Sequence, residues 1–174
     1  MGRIKWAVAA AAAVLGLAGC SRETAVQAKP FSIGERVPVG HLTYTVLEAN
    51  WVTRLPRDPE PRLPQNRFLL VRISVASGMP NDILLPNLTI EDDNGNSFSE
   101  LDNGDGVPQW AGFLRKARPA EAMQGTIAFD APARHYRLRV VDENGDAPAL
   151  IDIPLSIPAD PTDAAVPITP GARR

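Results

Sequence analysis

The chain has 174 residues, of which 18 are Lys or Arg and 20 are Asp or Glu, giving a formal charge of −2 with neutral histidines. A mildly acidic chain without a concentrated basic face is excluded as a nucleic-acid binder. Two histidines and one cysteine are too few for a structural zinc site, which usually takes four nitrogen or sulfur ligands at short spacing.

The N-terminus reads as an export leader. Arg3 and Lys5 form a positive start, and residues 6–17 follow as an apolar run of Ala, Val and Leu. A membrane-crossing helix needs roughly 20 apolar residues, so this run is a leader and not an anchor. Leu17-Ala18-Gly19-Cys20 resembles the lipobox of bacterial lipoprotein signal peptides, in which the cysteine is acylated and begins the mature protein. Cys20 is the only cysteine. The resemblance therefore leaves the mature chain without a disulfide or a free thiol, and its fold must rest on its core. Loss of residues 1–19 leaves 16 basic residues against 20 acidic ones, a charge of −4. Two or more acyl chains give stable attachment to a bilayer. Ser21, where an aspartate would by resemblance favour inner-membrane retention, points to the outer membrane facing the periplasm if the source is Gram-negative. Residues 20–30 read as the lipidated end and a tether.

Residues 31–157 suffice for one domain with a real core. Their apolar pattern has a period of two. Leu42, Tyr44 and Val46 alternate with Thr43 and Thr45, and Leu69, Val71, Ile73 and Val75 alternate with Arg72 and Ser74. Shorter runs follow at Leu88 and Ile90, Ile127 and Phe129, Tyr136 to Val140, and Ile151 to Leu155. No window reads as an amphipathic helix. Asn94-Gly95 and Asn144-Gly145 each lie between two such runs, which predicts type I′ hairpin turns. The fold class expected is all-β, an immunoglobulin-like antiparallel β-sandwich of about seven to nine strands, with a small β-barrel as the alternative. Residues 158–174, rich in Pro, Ala, Asp and Thr, predict a disordered tail.

The run Ile33-Gly34-Glu35-Arg36-Val37-Pro38-Val39-Gly40-His41-Leu42-Thr43-Tyr44-Thr45-Val46 resembles the opening of a family of uncharacterised bacterial lipoproteins with a telokin-like, immunoglobulin-like sandwich. Leu88-Thr89-Ile90-Glu91-Asp92 and Gly125-Thr126-Ile127-Ala128-Phe129-Asp130-Ala131-Pro132 agree with its later landmarks. The chain departs from the pattern around Ser77, at Pro119-Ala120-Glu121 and in the proline-rich stretch 53–65. The resemblance implies a fold and no particular activity.

Catalytic and metal chemistry find little footing. Ser77 lies in no Gly-x-Ser-x-Gly turn. His41 and His135 are far apart, and Met79 and Met123 belong to no Met-rich cluster. Neither acidic Asx-Gly loop, at 92–96 or 102–106, fits the twelve-residue calcium pattern; turn chemistry explains them, with a weak calcium site as the rival. No catalytic residue, metal ligand or cofactor is assigned. Two long connections remain, 53–65 with Arg54, Arg57, Arg62 and four prolines, and 102–121. The second supplies the candidate partner-binding residues, Trp110 and Phe113 as apolar anchors with Arg115 and Arg118 at their rim, since Trp and Arg are enriched at hot spots. The rival reading has the two aromatics closing one end of the sandwich. The function expected is a membrane-anchored envelope lipoprotein that binds another envelope protein or a small ligand. The alternatives are an envelope hydrolase with a carboxylate site and an exported metal-handling protein.

Overall fold

The computed structural model describes residues 29–156, so the leader, Cys20 and the tail from 158 lie outside the described residues. Ten strands are present: β1 Val37–Val39, β2 Leu42–Val52, β3 Arg67–Ser77, β4 Ile83–Leu84, β5 Thr89–Asp92, β6 Ser97–Ser99, β7 Lys116–Ala117, β8 Ala122–Ala131, β9 Tyr136–Val140 and β10 Ala149–Ile153. Eight of them form two four-stranded antiparallel sheets, ordered β1-β2-β3-β8 and β10-β9-β5-β6, and β4 pairs with β7 as a separate ribbon. The sheets do not close on each other. The molecule is a β-sandwich and not a barrel.

Alternation decides the packing. β3 sends Leu69, Val71, Ile73 and Val75 inward, where they meet Ile90, Tyr136, Leu138, Ile151 and Ile153 of the facing sheet. Each such side chain removed from water contributes about 1.5–3 kcal/mol. Trp51 and Phe98 pack on Tyr136 from the two sheets, with ring centroids 6.0 and 5.8 Å away. The Tyr44 hydroxyl donates to the Val141 carbonyl at 2.9 Å, tying the sheets together at one end. Its burial raises the phenol well above its ordinary range. Leu47 is an extra residue in β2, where the register slips between Val46 and Glu48; a bulge of this kind bends the strand.

The Asn-Gly turns differ from expectation. Gly95 and Gly145 have φ of 82° and 86°, whereas Asn94 and Asn144 are not in the left-handed region. Each turn is a three-residue loop with a left-handed glycine, closed by the Asp92 N–H on Asn96 O and the Asp142 N–H on Asp146 O. An aspartate dictates the choice. Asp92 Oδ1 accepts the N–H groups of Asn94 and Asn96, and Asp142 Oδ1 those of Asn144 and Asp146. These side-chain bonds hold the preceding residues right-handed and leave only the glycine with positive φ.

Neither long connection is a free loop. Leu55 and Arg62 exchange backbone hydrogen bonds within the first, and Asp130 accepts the N–H groups of Gln65 and Asn66 at its end. The second runs along the outer edge of β8, where Leu101 N–H bonds Ala128 O, Thr126 N–H bonds Gln109 O, and Ala111 N–H bonds Thr126 O. Together they cover half of the outer face of β3 and β8, burying Leu55, Phe68, Leu70, Val107 and Ala128 as a second small core. Arg62 joins the two connections, with its guanidinium 5.4 Å from the Phe68 ring centroid and 2.7 Å from Asn103 O.

Candidate functional site

The residues singled out in the 102–121 connection separate by direction. Arg115 is 4% exposed and lies inside the molecule. Its guanidinium forks onto Glu100, Nη1 to Oε2 and Nη2 to Oε1 at 2.9 Å each, and also donates to Gly112 O and Pro86 O. The expected place of Arg115 at an exposed rim is therefore overturned. The carboxylate of Glu100 needs a cation at its depth, and the alternation of this stretch turns residue 115 inward. Burial pushes the Glu100 carboxyl up, and Arg115 opposes that shift. Trp110 is half-exposed, its ring lying against Gly104 so closely that a Cβ there would sit 1.9 Å from it. Phe113 is half-buried. The structure thus keeps Trp110 and Arg118 at the surface, Trp110 with one side of its ring against Gly104, and buries Arg115.

The neighbours of Arg115 point the other way. Leu114, Lys116 and Arg118 are exposed, and together with Asp82, Glu121 and Met123 they line an open depression of about 450 Å³. Leu84 sits opposite Lys116 in the β4–β7 pairing and is 55% exposed, while Leu114 is 80% exposed. Arg118 faces Glu121 at 3.8 Å across solvent, an interaction worth little. Lys116 makes no ion pair among the described residues. A period-two reading of 114–118 could have found this face. The absence of a longer apolar run hid it, because the ribbon has only two residues per strand.

A second depression, about 390 Å³, lies on the uncovered half of the outer face and is lined by Arg36, Thr43, Thr45, Leu47, Ser74, Ala76 and Ala122. Its side chains are mostly small and neutral.

The histidines stand in two separate places. His41, at the β1–β2 turn, pairs with Glu143 through Nδ1 and through its own backbone N–H, and this bonding holds the Glu143 carboxyl below its ordinary range. His135 meets Asp93 through Nδ1 at 3.1 Å and Asp152 through Nε2 at 2.7 Å. Both ring nitrogens thus face carboxylates. No group of three or more His, Cys, Asp or Glu side chains is placed to hold a metal ion among the described residues. Among them, too, no helix is long and apolar enough to cross a membrane.

No protein-family model and no curated protein sequence matches the chain. Solved structures do. The yjhA protein of Bacillus subtilis is similar with a TM-score of 0.55 at 14% identity, over 70% of this chain and 98% of that one. A protein of unknown function from Listeria monocytogenes EGD-e gives 0.54 at 10%, over 70% and 82%. The ycdA protein of Bacillus subtilis, which carries a provisional lipoprotein assignment, gives 0.51 at 11%, over 69% of this chain but only 38% of that one. At these identities the likeness is one of fold.

Proposed function

We propose that this is a lipid-anchored, non-catalytic protein of the bacterial envelope, and that the β4–β7 ribbon is its docking face for another envelope protein. One observation carries the reading: Leu84 and Leu114 stand out from the surface beside Lys116 and Arg118 on the outer side of the β4–β7 ribbon and its flanks. Single exposed leucines need no explanation. Two leucines flanking an unpaired cation on one small face match an interface core with a polar rim, and the cation favours a partner segment bearing a carboxylate among apolar side chains. The lipobox supplies the address, and the likeness to the ycdA fold agrees with it.

The test places a photo-crosslinking amino acid at position 114 in the full chain, in living cells, with position 144 on a distant turn as control. The same protein partner is expected from positions 114 and 84, and Lys116→Glu should abolish its capture. Equal capture from position 144, or capture indifferent to Lys116→Glu, overturns the docking face. Labelling with a clickable fatty acid tests the anchor separately. Label should be present in the natural chain and absent from Cys20→Ser, and equal labelling overturns it.

A further inference from the structure

We propose that His135 is a proton-operated latch, holding the β5–β6 turn and β10 together across β9 while its ring carries two protons and releasing the turn when it carries one. The geometry is specific. His135 sits just before β9, the strand that lies between β5 and β10 in its sheet. Asp93, in the turn after β5, meets its Nδ1, and Asp152, in β10, meets its Nε2. A neutral imidazole has one N–H and one bare lone pair, so it can satisfy only one of these carboxylates and repels the other. The doubly protonated ring satisfies both.

The surrounding charges decide which arm opens. Asp93 has a second cation, Arg137 of β9, whose Nη2 donates to Oδ1 at 2.8 Å. Arg134, adjacent to His135, is engaged with Asp92 of β5 at 2.8 Å. Asp152 makes no ion pair besides His135 among the described residues, although Arg137, which lies opposite it on β9 and opposite Glu91 on β5, is drawn to Asp93 instead. The ring proton that leaves is therefore the one on Nδ1, where Arg137 still compensates Asp93; the remaining Nε2–H stays on Asp152, and the Asp93 arm lets go. The bond to Asp152, reinforced by Asp93 and opposed by partial burial, raises the proton affinity of His135 above that of a free histidine. A raised value in the folded state means that the latch is fully closed below about pH 6.5, the ordinary histidine value, and opens as pH rises through the higher folded value.

The experiment follows the His135 ring nitrogens by NMR in the full chain between pH 5 and 9, together with the amide signals of residues 93–96 and 152. In the natural protein His135 should titrate above about 6.5, and those amides should shift with the same midpoint. Asp152→Asn should lower the midpoint more than Asp93→Asn does. Each unit by which the midpoint is raised corresponds to about a tenfold loss of amide protection in the turn between the closed and open ends of the titration. His135→Gln should remove the pH dependence, and the two aspartate variants carry the test if that variant misfolds. A His135 midpoint at or below the ordinary value, or amides indifferent to its titration, overturns the latch.

Discussion

Arg115 and Glu100 show what a single buried pair asks of its neighbours. Both side chains are almost wholly enclosed, and the Leu88 N–H and the Gly112 and Pro86 carbonyls are arranged around them. Removing one partner strands the other charge, so Arg115→Ala should cost about 3–5 kcal/mol in a urea melt, whereas a Glu100→Leu, Arg115→Met double variant should recover most of that loss. Asp92 gives the pH-dependent counterpart. Hydrogen bonds led by the Asn96 side chain, with Arg134 assisting, hold its carboxyl at about 2. A lowered value in the folded state contributes stability above the unfolded value near 4 and loses it as pH falls through 2. Between pH 5 and pH 2.5 the denaturant midpoint of the natural protein should therefore fall more than that of Asp92→Asn. At this scale the sequence was a poor guide. Trp110, Phe113, Arg115 and Arg118 stood together as one exposed group, yet Arg115 turns inward with the alternation of 114–118, a run too short to stand out in the chain.

The strands were far more legible than the connections between them. β2, β3 and β9 alternate long enough for period two to show and lie where that pattern placed them, whereas β8, buried on both faces at its middle, showed only Ile127 and Phe129. The turns were located correctly and typed incorrectly, because the deciding bonds come from Asp92 and Asp142 and not from the Asn-Gly pairs. The left-handed glycines remain the sensitive points. A Cβ at Gly95 or Gly145 would meet nothing within 4 Å, so any loss in Gly95→Val or Gly145→Val reports backbone strain alone, and about 1 kcal/mol or more is expected in thermal melts. The long connections were read as surface loops because prolines and charges dominate them. Leu55 and Val107 are single apolar residues in that background, and only the outer face of β3 reveals what they bury. Leu55→Ala should destabilise the whole domain cooperatively by about 2–5 kcal/mol. A separate early transition would instead mark the connections as an independent unit.

The architecture as a whole follows from a core that needs no staple. Nearly all of the large side chains of the central cluster come from the strands, with Leu85 and Leu88 added by the β4–β5 connection, and Cys20 lies before the domain. The full chain should accordingly give a β-type circular dichroism spectrum and one cooperative melt that neither chelator nor reductant moves. Fold class was legible because burial on a two-sided sheet imposes a period that sequence displays directly. The site was not, since which strand borders which depends on contacts between residues far apart in the chain.

The covering of β8 bears on how such a molecule survives at high concentration. Ten residues of unpaired strand would be a template for a neighbouring copy, and edge-to-edge growth of that kind leads to fibres. Backbone bonds from Leu101, Gln109 and Ala111 occupy the middle of that edge, at Thr126 and Ala128, the β1 edge has three residues and contains Pro38, and Phe31 bonds along β10. Colloidal stability is thus entrusted to a connection rather than to the core. The packing of Trp110 on Gly104 helps to hold that connection against the strand.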